Sequence, residues 1–293
     1  MKSLTLWAPA KVNLYLRVKR KRPDGYHDIE TLFERINIKD RITVSVTKGR
    51  MTVTTSGIPV PAGRKNICYK AAALLKKGYG VKSRVKIHIE KRIPVAAGLG
   101  GGSSDAAGVL KALNRLWKLS IGEDAMMRIA ARVGADVPFF IKDVSFARGS
   151  GIGDRLIPVK SRTVIWHLVV TPPIRTLSGT IYKMYDKKGC LPLTRPGGTD
   201  KMKTPKNLIS NRGQLSSFLC NDLEETAVNM CPLIGRIKAE MLSAGALGAL
   251  VSGSGPSVFA VYRTRKEALK GKRLCMERLP ADNGWRVFVA RTF

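Results

Sequence analysis

The sequence predicts an α+β fold in two domains, residues 1–158 and 159–293. Period-two alternation and helical spacing both recur along the chain, but never as regular βαβ units. At 293 residues and 44% hydrophobic content the chain can bury two cores. Two glycine-rich stretches, 93–110 and 239–262, carry no Lys or Arg in a chain that has 52 of them. One falls in each predicted domain.

The 52 basic residues face 21 acidic ones, giving a formal charge of +31. The excess is dispersed: the densest runs, Lys19-Arg20-Lys21-Arg22 and Lys270-Gly271-Lys272-Arg273, are short. Such a distribution describes a field that attracts anions, with no dedicated nucleic-acid or membrane partner. A basic RNA-binding protein without enzymatic activity is the rival reading from another class. The composition excludes a disordered polymer, a collagen and a disulfide-stapled peptide. Pro9 and Lys11 interrupt the N-terminus before a signal-peptide core forms, and no apolar run reaches a membrane span. The odd set Cys68, Cys190, Cys220, Cys231 and Cys275 contains no CxxC, which points to free thiols in a reducing cytoplasm. His27, His88 and His167 have no metal-ligand spacing.

In chain order, 11–18 alternates cleanly, so it reads as a half-buried strand with Lys11 and Asn13 projecting together. Residues 42–46 and 51–55 alternate around Lys48-Gly49-Arg50, a predicted hairpin. A helix is expected over 66–77 and a strand over 85–89. A second helix follows the first glycine-rich stretch, with Ser103 or Ser104 as its N-cap, and a third spans 123–133 with Gly134 at its end. Strands are predicted at 137–141, 144–147 and 164–170. Residues 186–212, rich in Lys, Gly, Pro and Thr, read as a surface excursion. Helices at 222–229, 232–243 and 265–279 and strands at 247–252, 257–262 and 285–290 complete the chain.

The glycines of the first stretch lie between a strand and a helix. There the backbone turns sharply, and the helix start offers unpaired N–H groups to an anion. No Lys follows as in a GxxxxGK[ST] loop, and no GxGxxG fingerprint with its acidic partner is present. Glycine content alone fits a structural turn as well as a phosphate cradle. Motif order separates the two. Pro94-Val95-Ala96-Ala97-Gly98-Leu99-Gly100-Gly101-Gly102-Ser103-Ser104 resembles the ATP-binding motif of the GHMP kinase superfamily. Pro9-Ala10-Lys11-Val12-Asn13-Leu14 resembles that superfamily's first motif, and the run from Val251 to Ala260, with Gly253-Ser254-Gly255, resembles its third. The resemblance implies an N-terminal domain like ribosomal protein S5 domain 2, a ferredoxin-like C-terminal domain and an active site between them. Asp24-Gly25-Tyr26-His27, the long GLGGGSS form of the loop and Gly134-Ala135-Asp136-Val137-Pro138 narrow it further. They resemble the branch that phosphorylates the 2-hydroxyl of a cytidine-diphosphate-linked methylerythritol. Homoserine and mevalonate kinases are the alternatives within the superfamily.

By resemblance, Asp136 matches the catalytic aspartate and Lys11 the lysine that acts with it. Without the motifs, Lys11 would read as an exposed strand lysine and Asp136 as a turn residue. Residues 94–104 match the ATP site, and Gly253, Ser254 and Gly255 its phosphate-side support. Asn13, Tyr26, His27 and Phe33 match substrate contacts, and Tyr182 falls where an aromatic ring stacks on cytosine. ATP as co-substrate implies Mg2+, whose ligands the sequence leaves unassigned, Ser104 being a family-level option. The resemblance fits a monomer or a homodimer. Neither 186–212 nor Arg148-Gly149-Ser150-Gly151-Ile152-Gly153 has a counterpart in these motifs.

Overall fold

A computed structural model describes residues 2–187, 215, 218–279 and 284–293. The chain separates into two compact units that interleave along the sequence. The first comprises 1–10, 38–95 and 100–143; the second comprises 11–37, 96–99 and 144–293. Strands β1 (Ser3–Lys21) and β2 (His27–Thr47) pass from one unit into the other.

In the first unit the sheet order is β3 (Thr52–Gly57), β4 (Arg84–Lys91), β2, β1. Strand β4 therefore separates the two arms of the expected hairpin. It pairs antiparallel with β2, Val44 opposite Ile87, and parallel with β3, Val53 opposite Ile87. The local turn signal at 48–50 reported the reversal correctly, but not which strand fills the space between the arms. Inward residues Ile42, Val44, Val85, Ile87 and Ile89 form one side of the core. Helices α1 (Ile67–Gly78) and α2 (Gly101–Leu116) supply Ala71, Ala72, Leu75, Ala106, Leu110 and Leu113 from the other. Helix α2 lies close on the sheet: a Cβ on Gly108 would stand 2.7 Å from Ile42 Cδ1.

Helix α3 (Glu123–Val133) ends at Gly134 as expected, in extended backbone. The predicted strand at 137–141 is instead the short helix α4 (Val137–Ile141). All five of its side chains are buried, so period two and period 3.6 look alike in the sequence. Pro138 suits a first helical turn, and α4 packs on α2 and α3.

In the second unit, β5 (Phe146–Ser150) pairs with β2 and with β6 (Arg155–Pro158). A second sheet runs β11 (Arg286–Arg291), β7 (Trp166–Thr171), β10 (Val258–Tyr262), β9 (Gly248–Val251), antiparallel throughout. Numbered within that sheet the order is 4-1-3-2, the ferredoxin-like arrangement. Helices α5 (Ser178–Lys187), α6 (Glu224–Met230), α7 (Pro232–Ser243) and α8 (Arg265–Arg278) accompany it. Ile234, Ile237 and Met241 of α7 and Ala268 and Cys275 of α8 meet Leu168, Val170, Val258 and Ala260 in its core. The two-residue strand β8 (Cys220–Asn221) lies parallel to β1, Tyr15 opposite Cys220. The excursion expected at 186–212 begins inside α5, and its remainder lies outside the described residues, as does Cys190. The other four cysteines are free thiols.

Candidate functional site

Lys11 is not an exposed strand lysine. It is 4% exposed, because both faces of β1 are covered around it. A buried ammonium requires acceptors. Lys11 Nζ donates to Asn13 Oδ1 at 2.6 Å and stands 5.4 Å from the Phe33 ring centroid. Because an ammonium only donates, Asn13 must turn its oxygen toward Lys11 and its Nδ2 toward Thr31. Asn13 Nδ2 donates to Thr31 Oγ1 at 2.7 Å, and Thr31 Oγ1 donates to the Tyr15 carbonyl at 2.7 Å. Three buried side chains thus hold one hydrogen-bond direction. Thr31 was absent from the sequence reading; it pairs across the sheet with Gly149. Phe33 is 1% exposed and lies under the glycines that matched no motif. A Cβ on Gly149 would stand 2.8 Å from Phe33 Cε2.

The glycine loop meets the third motif within the same unit. Ser252 Oγ donates to the Gly98 carbonyl at 3.0 Å, and the Ser257 N–H donates to the Ala97 carbonyl at 3.3 Å. Lys11 N–H donates to the Leu99 carbonyl at 2.9 Å. Gly98 has φ +74°, and a Cβ there would fall 1.9 Å from the Ser252 carbonyl oxygen. A Cβ on Gly253, φ +56°, would stand 3.3 Å from Asn13 Oδ1 and 3.4 Å from Lys11 Nζ. The three motifs, far apart in sequence, therefore adjoin at Lys11. Asn221 Nδ2 fixes the far side by donating to the carbonyls of Val251 and Gly253 at 2.8 and 2.7 Å. Ser254 shares a 2.7 Å hydrogen bond with Ser178, the first residue of α5.

In the first unit, α2 begins at Gly101 with Gly100 as its N-cap, replacing the expected Ser103 or Ser104. Gly100 has φ +67°, a conformation that glycine adopts without strain. The serines then lie inside the first turn. Ser104 Oγ is buried and, among the described residues, lacks a hydrogen-bond partner. Beneath the start of α2, Lys91 Nζ bridges Asp40 at 2.5 Å and Asp105 at 2.8 Å, all three residues buried. Burial pushes the Asp105 carboxyl up to about 8 although Lys91 opposes it. Asp136 immediately precedes α4 and is half-buried, and its side chain does not cap that helix.

Around Asp24-Gly25-Tyr26-His27, Tyr26 is 58% exposed, in a turn where its N–H donates to Asp24 at 3.1 Å. His27 is buried. Its Nε2 lies 2.7 Å from Asp186 Oδ1, and a carboxylate only accepts, so Nε2 carries the proton. The His27 ring stacks on Tyr182, centroids 4.9 Å apart and 21° between planes. Tyr182 and Asp186 are one helical turn apart on α5 and therefore share a face. Burial opposes ionisation of Asp186, but hydrogen bonds from Lys21 and His27 outweigh it and lower its carboxyl below the usual range.

Among the described residues no group of three His, Cys, Asp or Glu could hold a metal, and no helix is long and apolar enough to cross a membrane.

Family models for the GHMP kinases match at residues 66–143 (N terminal domain) and 205–273 (C terminal). Across its whole length, and the whole of the other chain, the sequence is 42% identical to the 4-diphosphocytidyl-2-C-methyl-D-erythritol kinase of Pelobacter propionicus. It is 41% identical to that of Geobacter sulfurreducens, with 95% of this chain and 96% of the other covered. A crystal structure of 4-(cytidine 5'-diphospho)-2C-methyl-D-erythritol kinase superposes with a TM-score of 0.77, 31% identity and 98% of each chain covered. A homoserine kinase from Cytophaga hutchinsonii shares the fold, TM-score 0.74 at 18% identity, covering 100% of this chain and 95% of that one.

Proposed function

We propose that this chain, which belongs to the 4-diphosphocytidyl-2-C-methyl-D-erythritol kinase family of the GHMP kinases, transfers the γ-phosphoryl group of ATP to the 2-hydroxyl of 4-diphosphocytidyl-2-C-methyl-D-erythritol. The products are the 2-phosphate and ADP, in non-mevalonate isoprenoid precursor synthesis. The observation that supports this most is the convergence of Lys11, the Gly98 turn and Gly253 in one unit.

Phosphoryl transfer needs positioning and charge stabilisation more than covalent chemistry. Asp136 takes the 2-hydroxyl proton as that oxygen attacks, and Lys11 stabilises the transferring charge. The Asn13–Thr31 relay keeps the Lys11 ammonium in one place, with Phe33 beneath it rather than open to a base. The N–H groups of Gly101, Gly102 and Ser103, at the start of α2, cradle the ATP phosphates. Gly253, Ser254 and Gly255 support the Gly98 side of the loop. Ser104 fits Mg2+, because its buried hydroxyl oxygen is unused and Mg2+ combines few protein ligands with phosphate oxygens and waters. Mg2+ bound with ATP neutralises charge on the β- and γ-phosphates. His27, its Nε2–H fixed on Asp186, presents Nδ1 as an acceptor to the cytosine amino group. Tyr26 and Tyr182 flank the base.

The enzyme works on small molecules in the cytoplasm, as a monomer or homodimer, with 1–158 as the ATP-binding domain and 159–293 as the C-terminal domain. A substrate panel tests the reading. ADP release is expected with the cytidine diphosphate compound and not with homoserine or mevalonate; the reverse pattern refutes it.

A further inference from the structure

The most unusual polar cluster in the first unit is the buried set Lys91, Asp40 and Asp105, which the proposed chemistry does not use. Two of them lie at strand positions where the alternation calls for apolar residues: Lys91 continues Val85, Ile87 and Ile89, and Asp40 sits between Ile38 and Ile42; the third, Asp105, is buried on α2. Breaking a buried ion pair is strongly unfavourable, whereas packed apolar residues in its place are often neutral or stabilising. A core built for stability alone has little reason to contain this set, so its connections matter.

Those connections lead to both ends of the glycine loop. Asp40 Oδ1 accepts from the N–H groups of Arg92, at 2.5 Å, and Ile93, at 2.9 Å, which are the residues that enter the loop. Asp40 Oδ2 accepts from Lys91. Lys91 donates in turn to Asp105 Oδ2, on the second turn of α2, where the chain leaves the loop. The ammonium also abuts the first residue of that helix: a Cβ on Gly101 would stand 2.9 Å from Lys91 Nζ. The strand that ends before the loop and the helix that begins after it are therefore joined through one ammonium ion.

We infer that Lys91, Asp40 and Asp105 are positioning residues for ATP: they hold the N-terminus of α2 in register with the chain entering the glycine loop, so that its N–H groups meet the phosphates. The inference rests on the reading of that loop as the phosphate cradle. None of the three touches substrate; each acts through the backbone of 92–93 or 101–105. A helix end displaced by a fraction of an ångström loses hydrogen bonds to phosphate without unfolding.

The test compares Asp105→Leu, similar in shape but with no acceptor for Lys91, with Lys91→Met and Gly102→Ala in the full chain. Steady-state kinetics are normalised to the folded fraction from circular dichroism melts. Asp105→Leu is expected to raise KM for ATP at least tenfold, to leave KM for the cytidine substrate within twofold, and to reduce the thermal shift produced by ADP. Lys91→Met is expected to do the same more severely. If Asp105→Leu lowers the melting temperature but leaves KM for ATP within twofold, the set is structural only and the inference fails. Gly102→Ala separates the premise from the inference. Its methyl group, at the helix start, meets only Ile67 Cγ2, at 3.7 Å, and not Lys91, so an unchanged KM for ATP there refutes the phosphate cradle. A raised KM in Gly102→Ala with none in Asp105→Leu refutes the clamp alone.

Discussion

A methyl group at Gly98 tests whether the glycine loop is built against the third motif. Gly98 is left-handed at φ +74°, so Gly98→Ala first meets a conformational penalty of about 1–2 kcal/mol. The new Cβ would also fall 1.9 Å from the Ser252 carbonyl oxygen and 3.2 Å from Gly255 N. Backbone cannot yield as a flexible side chain does, so the two segments must part. Parting them breaks the Ser252 Oγ to Gly98 and Ser257 N–H to Ala97 hydrogen bonds, about 1 kcal/mol each. Together the variant should lose about 3–4 kcal/mol. Urea unfolding followed by circular dichroism measures this, and KM for ATP should rise in the fraction still folded. A loss under about 1 kcal/mol with unchanged KM would refute the packing argument.

Gly102→Ala should behave oppositely. Its Cβ meets only Ile67 Cγ2 at 3.7 Å and alanine favours the helix, so stability should hold or rise by up to about 1 kcal/mol. KM for ATP should nonetheless rise about tenfold, because a helical Cβ leans toward the N-terminus where phosphate approaches. Asn13→Ala removes one acceptor from the Lys11 ammonium and one donor to Thr31; about 2–4 kcal/mol of stability should go in urea melts, with kcat falling at least tenfold. Asp186 has a lowered folded-state pKa, so its stabilising contribution is complete above the ordinary carboxylate value of about 4 and disappears as pH falls through the lowered one. The melting-temperature gap between wild type and Asp186→Asn should therefore narrow on acidification; a gap that stays constant down to low pH contradicts the pairing with His27 and Lys21.

Local signals in the sequence were read reliably where local physics decides the outcome. The strand at 11–18, the helical spacing after Ser104 and the stop at Gly134 all recur in the structure. Within 11–18, however, burial alternates only from Leu14 onward, since both faces of β1 are covered at 11–14. Non-local choices were not legible. Strand β4 entering between β2 and β3 depends on parallel pairing that no turn announces. The run 137–141 is buried all round and carries no period, so its helix is imposed by α2 and α3. Helix α5 was missed behind Pro172 and Pro173, and with it the pairing of Asp186 with His27. The motifs point to Lys11 and Asn13, but their neighbours Thr31 and Asn221 emerge only once the chain folds. A signal for Lys91 and Asp40 was present: charged residues at apolar strand parity must pair inside.

The central claim is that Asp136 serves as the base for ATP-dependent phosphorylation of the 2-hydroxyl of 4-diphosphocytidyl-2-C-methyl-D-erythritol. The most direct measurement is kcat for ADP release with that substrate, wild type against Asp136→Asn, with folding of both checked by circular dichroism. General-base catalysis predicts a fall of about 10²–10⁴-fold in a folded variant. A folded Asp136→Asn that retains kcat within a few-fold would contradict the account.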